Sequence, residues 1–322
     1  MVVAAAFDDC SLKNDNHFPY NTSFTGGKYV PVQVNSSYAK IPLIAILPTG
    51  QQRQKFPVLA FMHGSTGTLE MYLPNLRNYA SHGFIVIFPY IKSPKKDKSP
   101  LTTNTNGEFL LHAIKFAKQA NGNSTSLLYG QVDLGNIIVA GHSMGATCAI
   151  MAGKRLSNPE NKVIDPASIK GIVTQHPGIC GPFGPPPWPH TWLMSDLATL
   201  NAKFPVLFTT ATNDAAFWPS PLTAKHELGC FNGALKSRNG TNAPAAFVDF
   251  STSACQSDGA RLPFDDGGHN CPFKNGVETP WVLTFAKLYG QQGGRKSSNC
   301  WKMVYGGGLQ NGFGVNFTRI LL

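Results

Sequence analysis

Short uninterrupted apolar runs alternate along the chain with segments whose apolar residues recur every three or four positions. The runs at 56–62, 83–89, 137–140, 169–174, 204–210 and 245–250 are dominated by Val, Ile, Leu, Phe and Ala. Continuous hydrophobicity without alternation predicts strands covered on both faces, as in a parallel sheet. Residues 29–34 and 41–47 read as two edge strands. Between the runs, 72–82 predicts a helix, and Thr105-Asn106-Gly107-Glu108 forms a capping box that opens another, with Phe109, Ala113, Ile114, Phe116 and Ala117 on its apolar face. Residues 146–152 and 223–228 read as further helices. Strands alternating with helices at this spacing predict an α/β fold with a mainly parallel central sheet and helices on both faces. Residues 1–28 read as an irregular polar arm and 29–322 as a single domain. Residues 177–192 hold too much proline and glycine for a regular helix and form an insertion after a strand end.

The candidate chemistry begins at Gly141-His142-Ser143-Met144-Gly145, between the run at 137–140 and the small-residue helix. Strand, G-x-S-x-G and helix together make the setting of a nucleophile elbow, which lifts the Ser143 hydroxyl to the top of a sheet. The N–H of Met144 then points from a helix N-terminus toward any oxyanion formed there. His63-Gly64-Ser65-Thr66-Gly67 follows an earlier strand, and its glycines let backbone N–H groups turn inward, so Ser65 is the expected second oxyanion donor. The acid and histidine that serve such a serine follow it in that order. Asp214, just past the run at 204–210, is the expected acid, preferred over Asp196 before that run and Asp249 inside the next. Only His226 and His269 follow Asp214. His226 falls in a helical segment, whereas His269 sits in the glycine-rich stretch Asp265-Asp266-Gly267-Gly268-His269-Asn270-Cys271, beyond what reads as the last strand. His269 is therefore the expected general base. His63 and His142 are expected to shape the substrate cleft, and Trp188 of the insertion to wall it.

Composition changes the picture in two ways. Charged residues make up 14% of the 322, well under the usual quarter, and Asn, Ser, Thr, Gly and Pro replace them. Seven cysteines occur: Cys148 reads as a buried free thiol, and the other six allow three disulfides of undetermined connectivity. Sequons begin at Asn21, Asn35, Asn123, Asn239 and Asn316. Together these predict an extracellular, secreted protein. The apolar stretch 1–7 is too short for a signal h-region with its flanks, and no run approaches the ~20 residues that span a membrane. The net charge of +10 includes Lys92, Lys95, Lys96 and Lys98 in one proline-flanked loop. Without aromatic interleaving or a nucleic-acid module, this reads as a solvated loop, so no nucleic-acid partner is expected. The sequence has no H-E-x-x-H, no C-x-x-C pair and no P-loop, so neither a metal nor a cofactor is expected.

From about residue 56 to 290 the chain resembles the α/β-hydrolases. Within them it is similar to cutinase-like polyester (PET) hydrolases and to chlorophyllases and dienelactone-hydrolase-like enzymes. The resemblance rests on His63-Gly64-Ser65-Thr66-Gly67, Ala80-Ser81-His82-Gly83-Phe84-Ile85-Val86, Gly141-His142-Ser143-Met144-Gly145 and the His269 loop. It implies Ser143, Asp214 and His269 as a triad, Ser65 and Met144 as oxyanion donors, and a disulfide at Cys271, two residues past the histidine. One departure stands out. Those polyester hydrolases commonly carry an aromatic just after the strand at 169–174, where this chain has Gln175-His176-Pro177-Gly178. The expectation is a secreted, monomeric serine ester hydrolase acting on polyester or lipid-like esters. A chlorophyllase-like or general carboxylesterase is the alternative, and a silent hydrolase-fold binding protein the different-class one.

Overall fold

The computed structural model describes residues 10, 21–24, 42–49, 54–64, 67–90, 107–177, 180, 192–212, 214, 223–236, 243–251, 255, 268–273, 277–309 and 315–322. All strands among them join one sheet. They are β1 (Asn21–Phe24), β2 (Leu43–Thr49), β3 (Phe56–Met62), β4 (Ile85–Pro89), β5 (Val132–His142), β6 (Ile169–Gln175), β7 (Val206–Ala211), β8 (Ala245–Phe250) and β9 (Val315–Leu321). Their order is β1-β2-β4-β3-β5-β6-β7-β8-β9. The strands from β4 across to β8 run parallel, while β1, β2 and β9 close the edges with antiparallel pairs.

The apolar runs become strands because both faces of the sheet are covered. Every residue of β3 is buried. Val58, Ala60 and Met62 pack into one core and Leu59 and Phe61 into the other. The first core is completed by α2 (Glu108–Gly122), α3 (Met144–Ser157), α4 (Met194–Asn201) and α5 (Thr223–Lys236). The second is completed by α1 (Leu69–Ser81), α6 (Thr279–Ala286) and α7 (Asn299–Tyr305). Helix α2 buries Phe109, Leu110, Ala113, Ile114 and Ala117, an i, i+4, i+8 face. The mainly parallel sheet with helices on both faces is the architecture expected from the hydrophobic pattern.

The order of strands reverses between β3 and β5: from β3 the chain steps outward to β4, then returns past β3 to β5 and continues the other way. Strands that part in this way leave a crevice at their carboxyl ends, where ligands bind in open α/β sheets. His63-Gly64 follows β3 and Ser143 follows β5, so both motifs meet at that crevice.

Three sequence expectations change. Asn21–Phe24, read as part of an irregular arm, pairs with Leu47–Thr49 and Ile46 at the sheet edge, a tertiary contact that local polarity does not announce. The N-cap of α2 is Gly107 at φ 78°, with no side-chain cap bond, in place of the expected Thr105 box. A Cβ at Gly107 would come within 2.4 Å of the Ala152 nitrogen, so close packing on α3 decides that helix start. The His269 loop is followed by two helices and by β9, so β8 is not the last strand. The 29–34 strand, the lysine loop at 92–98 and Trp188 lie outside the described residues.

Six cysteines pair, as Cys10–Cys300, Cys180–Cys230 and Cys255–Cys271. Cys148 is free and buried, and burial pushes its thiol up to about 12. Cys180 and Trp192 form an isolated bridge at the two ends of the proline-rich insertion. Trp192 is buried against Phe208 of β7, and Cys180 is tied to α5, so both ends of the insertion are pinned. Among the described residues, no helix is long and apolar enough to cross a membrane.

Candidate active site

Ser143 joins β5 to α3 with φ 57° and ψ −123°, backbone angles that a non-glycine residue adopts only under constraint, at a cost on the order of 1–3 kcal/mol. Several contacts impose them. The Ser143 N–H donates to the Gln175 carbonyl at 2.8 Å, and its carbonyl accepts from Ala146 and Thr147 at 2.9 and 3.2 Å. The motif glycines let strand and helix close on each other: a Cβ at Gly141 would lie 2.0 Å from the Gly145 oxygen, and one at Gly145 would lie 2.1 Å from the Met62 oxygen. Met144 opens α3, so its N–H has no intrahelical acceptor and carries the positive end of the helix dipole. Gly64 backs directly onto the serine, since a Cβ there would stand 2.9 Å from Ser143 Cβ. Ser65, the expected second oxyanion donor, lies outside the described residues.

Asp214 follows β7, its N–H bound to the Ala211 carbonyl at 3.0 Å, and Oδ1 accepts from His269 Nδ1 at 2.8 Å. With Nδ1 donating to Asp214, Nε2 is the nitrogen that a neutral ring leaves without a proton. The His269 loop is shaped by Gly268 at φ 118°, where a Cβ would strike Ala211 Cβ at 2.5 Å. It is stapled by Cys255–Cys271 two residues on, the position at which the family resemblance implies a disulfide. Asp196 instead pairs with Lys154 at 2.5 Å, and Asp249 accepts from Thr212. His226 lies on α5 with Nε2 at the Cys180 carbonyl.

His142, beside the serine, ties the His269 loop to the elbow. Its Nε2 donates to the His269 carbonyl at 2.8 Å, which leaves Nδ1 to accept from the Tyr72 hydroxyl at 2.6 Å. The Tyr72 oxygen in turn accepts from the Gly64 N–H at 2.8 Å. One hydrogen-bonded path thus runs from the loop after β3, through α1, to the residue expected to act as base. Burial, reinforced by the nearby His269 and His176, holds His142 well below the ordinary histidine range, in keeping with this neutral tautomer. His63 is fully buried and burial lowers it to about 4. Both nitrogens of His142 are spent inside the protein, on Tyr72 and the His269 carbonyl, so it holds these neighbours in place.

His176, just past β6, binds the second oxygen of Asp214: Nδ1 to Oδ2 is 2.7 Å. Its Nε2 faces Oε2 of Glu278 at 3.1 Å, and Thr209 Oγ1 donates to the other Glu278 oxygen. His176 also sits at φ 50°, outside ordinary non-glycine geometry.

With this site at the carboxyl ends of a parallel sheet, residues 20–165 match the family model described as Chlorophyllase, somewhat under half of the chain. That family is of the α/β-hydrolase type, and the sheet agrees with it. This chain has the α/β-hydrolase fold. No curated protein matches it. The matched segment covers the β3 loop and the elbow of the hydrolase and ends before Asp214 and His269.

The candidate site contains ionisable residues that the sequence pattern does not mark. Burial opposes a charge on His176, but the carboxylates of Glu278 and Asp214 outweigh it and raise the imidazole to about 10. Burial likewise opposes ionisation of Asp214, yet His269 and His176 hold its carboxyl well below the usual range. Glu227 is pushed well above the carboxylate range by burial and by the charge of Asp214. A visible signal for His176 was its place after a buried strand end, next to the elbow strand. Glu278 has none, because the wholly buried α6 carries no polar stripe that marks a helix. The ligating atoms of His176, Asp214 and His269 lie within 4.8 Å of one another, the spacing a metal ion would use. The hydrogen bonds of Asp214 to both rings already account for that spacing.

Proposed function

We propose that this α/β-hydrolase is a secreted serine ester hydrolase that works through an acyl-enzyme on Ser143. The observation that carries the reading is a serine held at φ 57° beside a loop whose histidine is hydrogen-bonded to a buried aspartate. In this reading His269 Nε2 takes the Ser143 proton as Oγ attacks the ester carbonyl carbon. Asp214 fixes the ring tautomer and balances the imidazolium. The Met144 and Ser65 N–H groups receive the oxyanion, each contributing about 3 kcal/mol to the transition state. His269 then protonates the leaving alcohol, deprotonates a water that attacks the acyl carbon, and returns the proton to Ser143 as the acid departs.

The family match favours a chlorophyllase-like ester as substrate, while the Cys271 staple and the G-H-S-M-G motif favour a polyester. The test is hydrolysis of p-nitrophenyl esters from acetate to palmitate, followed by chlorophyll and polyester film, with wild type and Ser143→Ala. The variant should lose at least about 10³-fold in kcat, and the preferred ester separates the substrate classes. An active Ser143→Ala protein would reject the mechanism. Secretion is supported by three paired cysteine sets, five sequons and low charge. A non-reducing peptide map of protein taken from the medium should recover all three links; free thiols throughout would reject it.

A further inference from the structure

Asp214 is not the end of the hydrogen-bond chain. Each of its oxygens is taken by a different imidazole, His269 on Oδ1 at 2.8 Å and His176 on Oδ2 at 2.7 Å. His176 is wholly buried, and each of its ring nitrogens points at a carboxyl oxygen. A neutral imidazole has one N–H, so one nitrogen would meet an oxygen lone pair to lone pair. An imidazolium donates at both ends and satisfies both carboxylates. Glu278 is itself fully buried at the start of α6 and held by Thr209 on its other oxygen, a setting in which a carboxylate needs a charged partner.

We propose that His176 is a positioning residue for this hydrolase: as an imidazolium clamped between Asp214 and Glu278, it locks the Asp214 carboxylate toward His269 and sets the acid limb of the pH–rate profile. This rests on the esterase reading of the same site. The clamp adds a +1 and a −1 beside the triad. With His269 neutral the buried group of His176, Glu278, Asp214 and His269 carries a net −1, and it becomes neutral when His269 takes the serine proton. The clamp adds no net charge to that change, so what it contributes is the fixed position of the Asp214 carboxylate and the local field around it. The positive end of the clamp is the one that faces the triad. His176 lies 5.7 Å from the His269 ring and 5.8 Å from His142, ring centre to centre, with Glu278 behind it. The other ionisable groups that feel the clamp are Glu227, which is sensitive to the charge of His176, and Tyr79, which is sensitive to that of Glu278. Removing the positive end of the clamp changes the field at the proposed base, which the acid limb of the pH–rate profile reads.

Two variants separate charge from position. In Glu278→Gln, a neutral His176 still donates from Nδ1 to Asp214 while Nε2 accepts from the glutamine amide. The expected result is kcat within about threefold of wild type at its plateau, with the acid limb moved up by about one pH unit. In His176→Ala the Asp214 oxygen loses its donor. There kcat should fall on the order of 10- to 100-fold with KM little changed, less than the loss from removing a triad member, and the acid limb should again move up. An acid limb that stays in place in Glu278→Gln would overturn the proposal. Nitrogen-15 NMR of wild type at pH 7.5 gives a reading independent of activity and of whether His176→Ala folds. Both His176 ring nitrogens should carry protons, and a single protonated nitrogen would sink the clamp. A wild type that turns over no ester rejects the esterase reading, while the NMR result still decides the imidazolium.

Discussion

Tyr72 does more at the site than its place in an apolar helix face suggests. Its ring packs edge-on against Phe273 at 4.9 Å between centres, next to the His269 loop, and its hydroxyl joins the Gly64 N–H to His142 Nδ1. Tyr72→Phe keeps the packing and removes only the oxygen. It strands a buried donor and a buried acceptor, each costing about 1–3 kcal/mol when unsatisfied. His142 is then held only by the bond from its Nε2 to the His269 carbonyl, and that grip weakens. The expected outcome is a drop in stability of about 2–4 kcal/mol in urea melts, with a fall in kcat that exceeds any change in KM. A variant as stable as wild type would show that water replaces the hydroxyl and that the path carries no constraint. At this scale the sequence was informative where a residue acts through its own motif. Ser143 and Gly145 announce themselves in five letters, and Asp214 and His269 follow from chain order. Tyr72, His176 and Glu278 act through partners 70, 38 and 102 residues away, and no local pattern encodes such pairs.

The elements divide along the same line. Strand β8 occupies the same six residues that the apolar run marks, and β3 the same seven, because a strand buried on both faces leaves a continuous signature. Helix α6 left no usable mark: all eight of its residues are buried, so it has no polar stripe from which a 3.6-residue period can be read. Missing it hid Glu278, which stands at its N-terminus, and hence half of the clamp. The edge strands β1 and β9 are specified by the neighbours they pair with, β2 and β8, more than by their own composition. The start of α2 was misplaced for a related reason. Its glycine is required by the closeness of α3, a contact between chain segments 45 residues apart.

For the whole molecule, the buried histidines set opposing pH slopes on stability. His63 and His82 are lowered to about 4, chiefly by burial, and His142 is held well below its ordinary value. In the unfolded chain all three take up protons near pH 6.5. As pH falls from 6.5 toward 4 the unfolded state binds the extra protons, so stability falls. At about 1.4 kcal/mol per pKa unit, His63 alone accounts for roughly 3 kcal/mol of that loss. Asp214, held low by its two imidazoles, adds its own loss in stronger acid. His176 works in the other direction. Its folded value is raised to about 10, so its contribution is complete below pH 6.5 and is lost progressively as pH rises through 10. Stability should therefore peak near pH 6.5 and decline on both sides. Urea melts of wild type at pH 4.5, 6.5 and 9 read the two slopes, and Glu278→Gln should flatten the alkaline one while leaving the acid one in place. An unchanged alkaline slope in Glu278→Gln would mean that His176 is not the group responsible, and the buried pair would have to be neutral in the folded protein.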